Sequence, residues 1–374
     1  MSDLQRYPSR MTSQRIKLSR SCKGPPKAVS SRRVGALATM AKKIGLLLGT
    51  LLLWIALVLF TTSCGQKREA IDQAAPRKYR IGLGPWIGFG PLYLAHDKGF
   101  FKDAGCQVEL IVLTGIAERN TALKSGRIDA LAAPVDYFVL SAGNNLEATI
   151  VMAIDESVGG DGIVARKEIT RFEDLRGKRL AFQRGLPSEF FVRALLLQHG
   201  VQMSEVQTVD METDQAGAAF IAGRVDAAAV WEPWLTKARE QGGGHVLAST
   251  KEFPNLIVDC LGFNQKRLAE DHAGAKAVVD SIFRAIDYWK AHPDQANAIM
   301  APHFQLDARK FAAILEGVRF CDRGRNHEFF GTSQSPGPIF NVVRRASEIW
   351  QSAGTIKTEV KPESIISVEL LSGG

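Results

Sequence analysis

Ala122-Leu-Lys-Ser-Gly-Arg-Ile-Asp-Ala130 returns further along the chain as Ala219-Phe-Ile-Ala-Gly-Arg-Val-Asp-Ala227, with Gly-Arg-x-Asp as the shared core. Each copy reads as the end of a helix, closed by a glycine that takes the left-handed conformation without a Cβ penalty, followed directly by an apolar strand. A unit that recurs with its punctuation intact marks an internal structural repeat.

The same order of elements extends outward from both copies. The first predicts a strand over 79–84, a glycine-rich loop, a helix over 91–104, a strand over 107–113, a helix over 116–125 and a strand over 128–133. The second predicts strands over 179–183, 206–210 and 225–230, with helices over 187–199 and 214–222 between them. Each is a βαβαβ unit, and near-continuous apolar strands alternating with helices imply parallel sheet covered on both faces. The fold class is therefore α/β, with two βαβαβ lobes. A strand over 148–154, a turn over 155–161 and a strand over 162–166 carry the chain to the second lobe, and the run 256–263 brings it back, which makes a two-strand hinge. Helices over 271–291, 293–300, 307–317 and 338–352 then pack on the first lobe. The expected domains are 78–158 with 258–374 for lobe I and 159–257 for lobe II, preceded by an extension and leader over 1–63 and a tether over 64–77.

The 374 residues carry 47 Lys and Arg against 39 Asp and Glu, a net charge of +8. Eleven of the basic residues and one acid fall within 1–63, leaving 36 basic and 38 acidic residues after it. A phosphate-binding stripe would have to lie in the globular part, where no surplus exists, so nucleic acid is excluded as a partner. Five scattered Cys without CxxC or Cys/His ligand spacing point to no metal site, and no cofactor is expected.

Ala41-Lys42-Lys43, the uncharged run 44–60 and Thr61-Thr62-Ser63-Cys64-Gly65 have the layout of an export signal. Ser63-Cys64 resembles a bacterial lipobox, which implies a lipid on Cys64 and a membrane-anchored lipoprotein outside the cytoplasmic membrane. Thr61 stands where that pattern usually has an aliphatic residue, and an uncleaved anchor is the alternative. Met40 offers a second start immediately before the basic flank.

Ligands of open parallel sheets bind beyond the carboxyl ends of the strands. Two facing lobes place those loops on one cleft, and the candidate ligand-binding residues are Trp86, Phe89, Thr114, Pro134, Asp136, Tyr137, Asp155, Glu156, Asp161, Arg184, Asp214, Trp231 and Glu232. The run Gly84-Pro-Trp-Ile-Gly-Phe-Gly-Pro-Leu-Tyr-Leu-Ala95, then Lys98-Gly99-Phe100-Phe101, Ser125-Gly126-Arg127-Ile128-Asp129 and Trp231-Glu232-Pro233-Trp234 resemble the periplasmic solute-binding proteins of nitrate/sulfonate/taurine and thiamine-pyrimidine ABC importers. The resemblance covers about 80–355. It implies a type II periplasmic-binding-protein fold that closes on a small-molecule ligand and, as a monomer, hands it to an ABC permease.

The acids outnumber the basic candidates Arg184, Arg119 and His96, and buried carboxylates need partners. A ligand with an N–H or ammonium group would supply them, and the aromatic side chains would cover it. The acidic turn departs from what a simple inorganic anion would need. Several candidates also have structural readings: Glu232 as the cap of the following helix, Trp86 and Trp231 as core. Asp129 and Asp226, equivalent in the two copies, read as scaffold. An enzyme is disfavoured, because no GxSxG is present, the His residues are isolated, and the Cys-rich motif of the thiamine-pyrimidine enzymes is missing. A ligand sensor for a membrane receptor would use the same cleft.

Overall fold

A computed structural model describes residues 76–371. The leader, Cys64 and most of the expected tether lie outside them. Among the described residues no helix is long and apolar enough to cross a membrane, and Cys106, Cys260 and Cys321 are buried and free.

In chain order the first half comprises β1 (Arg77–Leu83), α1 (Gly90–Asp97), α2 (Phe100–Asp103), β2 (Cys106–Val112), α3 (Ile116–Lys124), β3 (Ala130–Pro134), α4 (Val135–Ala142), β4 (Ala148–Ser157) and β5 (Asp161–Ala165). Then follow β6 (Arg179–Phe182), α5 (Pro187–Gln198), β7 (Gln207–Asp210), α6 (Thr213–Ile221), β8 (Ala227–Trp231), α7 (Trp234–Gln241), β9 (His245–Ser249) and β10 (Val258–Asn264). The remainder is α8 (Gln265–Glu270), α9 (His272–Ala291), α10 (Pro293–Met300), α11 (Ala308–Leu315), β11 (Val318–Phe320), α12 (Arg323–Phe330) and α13 (Ile339–Ser352).

Two sheets result, ordered β11-β4-β10-β3-β1-β2 and β7-β6-β8-β5-β9. Each contains the expected parallel trio, β2-β1-β3 and β7-β6-β8. The crossing strands, whose direction the sequence left open, join as the fourth strand of each sheet: β10 and β5 run antiparallel to β3 and β8, because each enters from the other sheet. The helix expected over 91–104 is broken, with Gly99 at φ 74° separating α1 from α2. The turn expected over 155–161 is also corrected. Asp155, Glu156 and Ser157 complete β4, Asp161 opens β5, and only 158–160 cross between the sheets.

The repeat is structural in detail. Gly126 and Gly223 both sit at positive φ, 70° and 74°, just past the ends of α3 and α6. Asp129 Oδ2 accepts the Arg80 amide at 2.7 Å, and Asp226 Oδ2 accepts the Arg179 amide at 2.8 Å. In both sheets this aspartate extends the ladder between the first and third strands of the trio by one side-chain bond, which is why it is repeated.

The two crossings are tied to each other. Thr250 Oγ1 lies 2.7 Å from Ser157 Oγ and accepts the Gly159 amide at 2.9 Å. Glu156, fully buried, accepts the Asn255 amide at 2.8 Å and is paired with Arg319 at 2.8 Å and with Arg325. A buried carboxylate held by two guanidinium groups and an amide is satisfied in place.

Removing the repeated aspartate should therefore cost stability. Asp129→Ala is expected to lower the unfolding free energy by about 1.5–3 kcal/mol, the worth of a hydrogen bond to a charged group. Asp226→Ala should cost less, since its side chain is 30% exposed against 11% for Asp129. Urea denaturation measures both, and unchanged midpoints would contradict the assignment.

Candidate functional site

Register brings the site together. On the six-stranded sheet Asp259 of β10 stands opposite Pro134 of β3 on one side and opposite Asp155 of β4 on the other. Residues directly opposite in an antiparallel pair share a face, so two carboxylates are neighbours there. On the five-stranded sheet Asp161 of β5 stands opposite Trp231 of β8. Where these strand ends meet, an inner chamber of about 30 Å³ is lined from the first sheet by Pro85, Trp86, Phe89, Arg119, Pro134, Ile257 and Asp259. Asp161, Leu186, Pro187 and Trp231 line it from the second. An outer chamber of about 570 Å³ shares Pro85, Arg119 and Trp231 with it and is bounded also by Tyr93, Thr114, Gln183, Thr213, Asp214, Trp234, Lys237 and His303.

Trp86 is held edge and tip. Its Nε1 donates to Asp155 Oδ1 at 3.0 Å. A Cβ on Gly88 would fall 2.2 Å from that nitrogen, and one on Gly160 would fall 2.5 Å from Cη2. Those two glycines are there because the indole fills the space a side chain would occupy. Arg119, only 4% exposed, donates from Nε to the Leu113 carbonyl at 2.9 Å and lies over the Tyr137 ring.

The charge balance of the inner chamber is lopsided. Asp136, Asp155, Asp161 and Asp259 are all buried, and Arg119 is the one cation among the residues lining the chamber. Neither Asp136 oxygen has a hydrogen-bond partner among the described residues, and Asp155 Oδ2 has none. Burial, with the charge of Asp161 behind it, pushes the Asp136 carboxyl up to about 8, which the amides at the start of α4 offset only in part. Burial raises Asp161 to about 7, and Glu232 adds to the rise. Asp155 and Asp259 also lie well above the usual carboxylate range, through burial first and the neighbouring carboxylates second.

Of the residues singled out by sequence, the structure brings Trp86, Phe89, Pro134, Asp161 and Trp231 to the inner chamber and Thr114, Asp214 and again Trp231 to the outer one. Asp155 stands behind Trp86 without lining either. Asp136 and Tyr137 are not in a loop, as expected from sequence, but in the first turn of α4. There Tyr137 Oη donates to Asn120 at 2.5 Å. Glu156 faces Arg319 of β11 and Arg325 of α12. Glu232 caps α7, accepting from the amide and hydroxyl of Thr236 at 3.1 and 2.7 Å. Arg184 is exposed and reaches Thr208 at 3.4 Å.

Sequence reasoning missed Asp259, although a single acid within the apolar run 256–263 was a legible signal. It also missed Lys237, which lies over the Trp234 ring, while Thr213, beside the candidate Asp214, has a buried Oγ1 without a partner among the described residues. His303 comes from the C-terminal block, stacks on Tyr93 at 4.3 Å and bonds Asp97 at 2.7 Å. Nothing local in the sequence marks it.

The model of the family described as NMT1/THI5 like matches residues 86–296, and the chain belongs to that family. A Brucella abortus protein named "Putative binding protein" is 26% identical over 293 residues, spanning 76% of this chain and 88% of that one. The taurine-binding periplasmic protein of Escherichia coli is 25% identical over 204 residues, 53% of this chain and 62% of that one. Among solved structures, the periplasmic aliphatic sulphonate binding protein of Escherichia coli superposes with a TM-score of 0.65 at 18% identity, covering 80% of this chain and all of that one. The desulfurization enzyme DSZB also shares the fold, with a TM-score of 0.57 at 16% identity over 79% of this chain and 97% of that one. The periplasmic-binding-protein fold expected from the sequence is thus the fold of the chain.

The raised carboxyls fix the sign of a pH dependence. A group whose folded pKa exceeds its unfolded value keeps protons that the unfolded chain releases, so its stabilisation is lost as pH rises through the folded value. The ligand-free protein should lose thermal stability between about pH 4 and pH 8, with Asp161 and Asp136 titrating at the upper end. Asp136→Asn should flatten the slope above pH 6. Scanning calorimetry across that range checks it, and a midpoint that climbs with pH would contradict the account.

Proposed function

We propose that this protein is the extracytoplasmic substrate-binding lipoprotein of an ABC importer, capturing a small nitrogen- or sulfonate-containing organic solute by closure of two lobes. The lobes are 78–158 with 258–374, and 159–257. The observation that carries the reading is the inner chamber, which takes its walls from both sheets and sets Asp161 and Asp259 against a single cation, Arg119. A solute touching both walls binds the closed arrangement better than the open one, and that difference is what shifts the population. The family and the taurine-binding relative support a solute of this kind, and the unmatched carboxylates favour one with an N–H or ammonium group. The crossings 158–160 and 250–257 act as the hinge. The chain works as a monomer, and the lipid on Cys64 keeps it beside its permease by raising the local concentration. The inner chamber offers no nucleophile beside a base, which weighs against an enzyme.

Trp86 and Trp231 report on the chamber directly. Addition of a bound solute should change tryptophan fluorescence, raise the thermal midpoint and reduce the radius of gyration in solution scattering. Binding without compaction would contradict closure. In cells, Cys64→Ser should move the protein from the membrane to the soluble fraction, and persistent membrane association would favour the uncleaved anchor.

A further inference from the structure

Within the proposed solute site, the two chambers differ in size and in charge. The inner space of about 30 Å³ holds a group the size of a water molecule or little more. Asp259, 4% exposed, lines it from the six-stranded sheet, and its carboxylate accepts no hydrogen bond among the described residues. Asp161, also 4% exposed, lines it from the five-stranded sheet. Trp86, Phe89 and Trp231 supply apolar walls, Arg119 lines it where it meets the outer chamber and is its one cation, and Asp155 and Asp136 add negative potential from behind. His, Cys, Asp and Glu side chains do not converge among the described residues in a set that could hold a metal ion. An ammonium group needs no such convergence: it brings three donors and one charge in the volume of a water molecule.

We propose that the inner chamber is a subsite for a primary ammonium group, clamped between Asp259 of one sheet and Asp161 of the other, while the rest of the solute occupies the outer chamber. This rests on the reading of the cleft as a solute site and narrows it to primary amines. Without the cation the two buried acids keep protons rather than face each other as charges, and with it each sheet gains a charge-assisted bond. The clamp therefore couples recognition to closure. A trimethylammonium group has no donor for either carboxylate. A hydroxyl in the same position fits but brings no positive charge to the two acids.

The test uses the full chain, with thermal shift and calorimetry at pH 7.5. Ethylammonium, 1,4-diaminobutane and taurine are each compared with the hydroxyl and the trimethylammonium compound of the same skeleton, and nitrate and ethanesulfonate serve as plain anions. At least one primary amine is expected to bind. Its two counterparts, and Asp259→Asn or Asp161→Asn protein, should bind about tenfold more weakly or worse. Both substitutions keep the shape of a buried group and should fold, which circular dichroism verifies. Equal binding of a counterpart, binding of the plain anions alone, or unchanged affinity in both variants would overturn the ammonium subsite and leave the solute-binding reading standing. Silence to every compound, anions included, would overturn both.

Discussion

Four carboxylates share one buried region, and its strand ends cannot move without changing their energy. Asp155 and Asp259 face each other across β4 and β10, Asp161 opens the first strand of the other sheet, and Asp136 sits at the start of α4. Like charges in a low-dielectric interior are costly, and the relief open to the protein alone is to retain protons. Glu156 makes the contrast. One residue from Asp155 in sequence, it turns to the opposite side of the strand and is met by Arg319, Arg325 and the Asn255 amide. The protein satisfies the acid that fastens its crossings and leaves the acids of the chamber to something from outside.

The two kinds of carboxylate divide structure from function along a single strand. Period-two alternation in β4 sends Trp86-bound Asp155 toward the chamber and Glu156 toward the C-terminal helices. The helices α9 to α13 thus do more than cover a sheet. Between them, β11 and α12 supply the cations Arg319 and Arg325 that hold the crossing, and His303, in the link from α10 to α11, bounds the outer chamber.

Much of this was legible in the sequence. The Gly-Arg-x-Asp repeat predicted both parallel trios, and even the scaffold role of Asp129 and Asp226, because helix stops and strand starts are local signals. The glycine-rich run around Trp86 pointed to the chamber, and Asp161 and Trp231 lie where the strand ends place them. The misreadings have one cause. Asp155-Glu156-Ser157 looked like a turn because three polar residues followed an apolar run, and tertiary burial overrode that pattern. Asp136 and Tyr137 looked like loop residues because Pro134 punctuates the strand, yet Pro134 leads straight into a helix. Asp259 and His303 reach the site only through register and long-range packing, which no local pattern records.

In the proposed clamp the ligand's positive charge replaces protons held by the buried acids. Calorimetric titration at pH 7 with the primary amine that binds best, repeated in buffers of different ionisation enthalpy, counts the protons exchanged on binding. With Asp161 and Asp136 raised to about 7 and 8 in the ligand-free protein, the account predicts a net release of protons. No exchange, or net uptake, would contradict it.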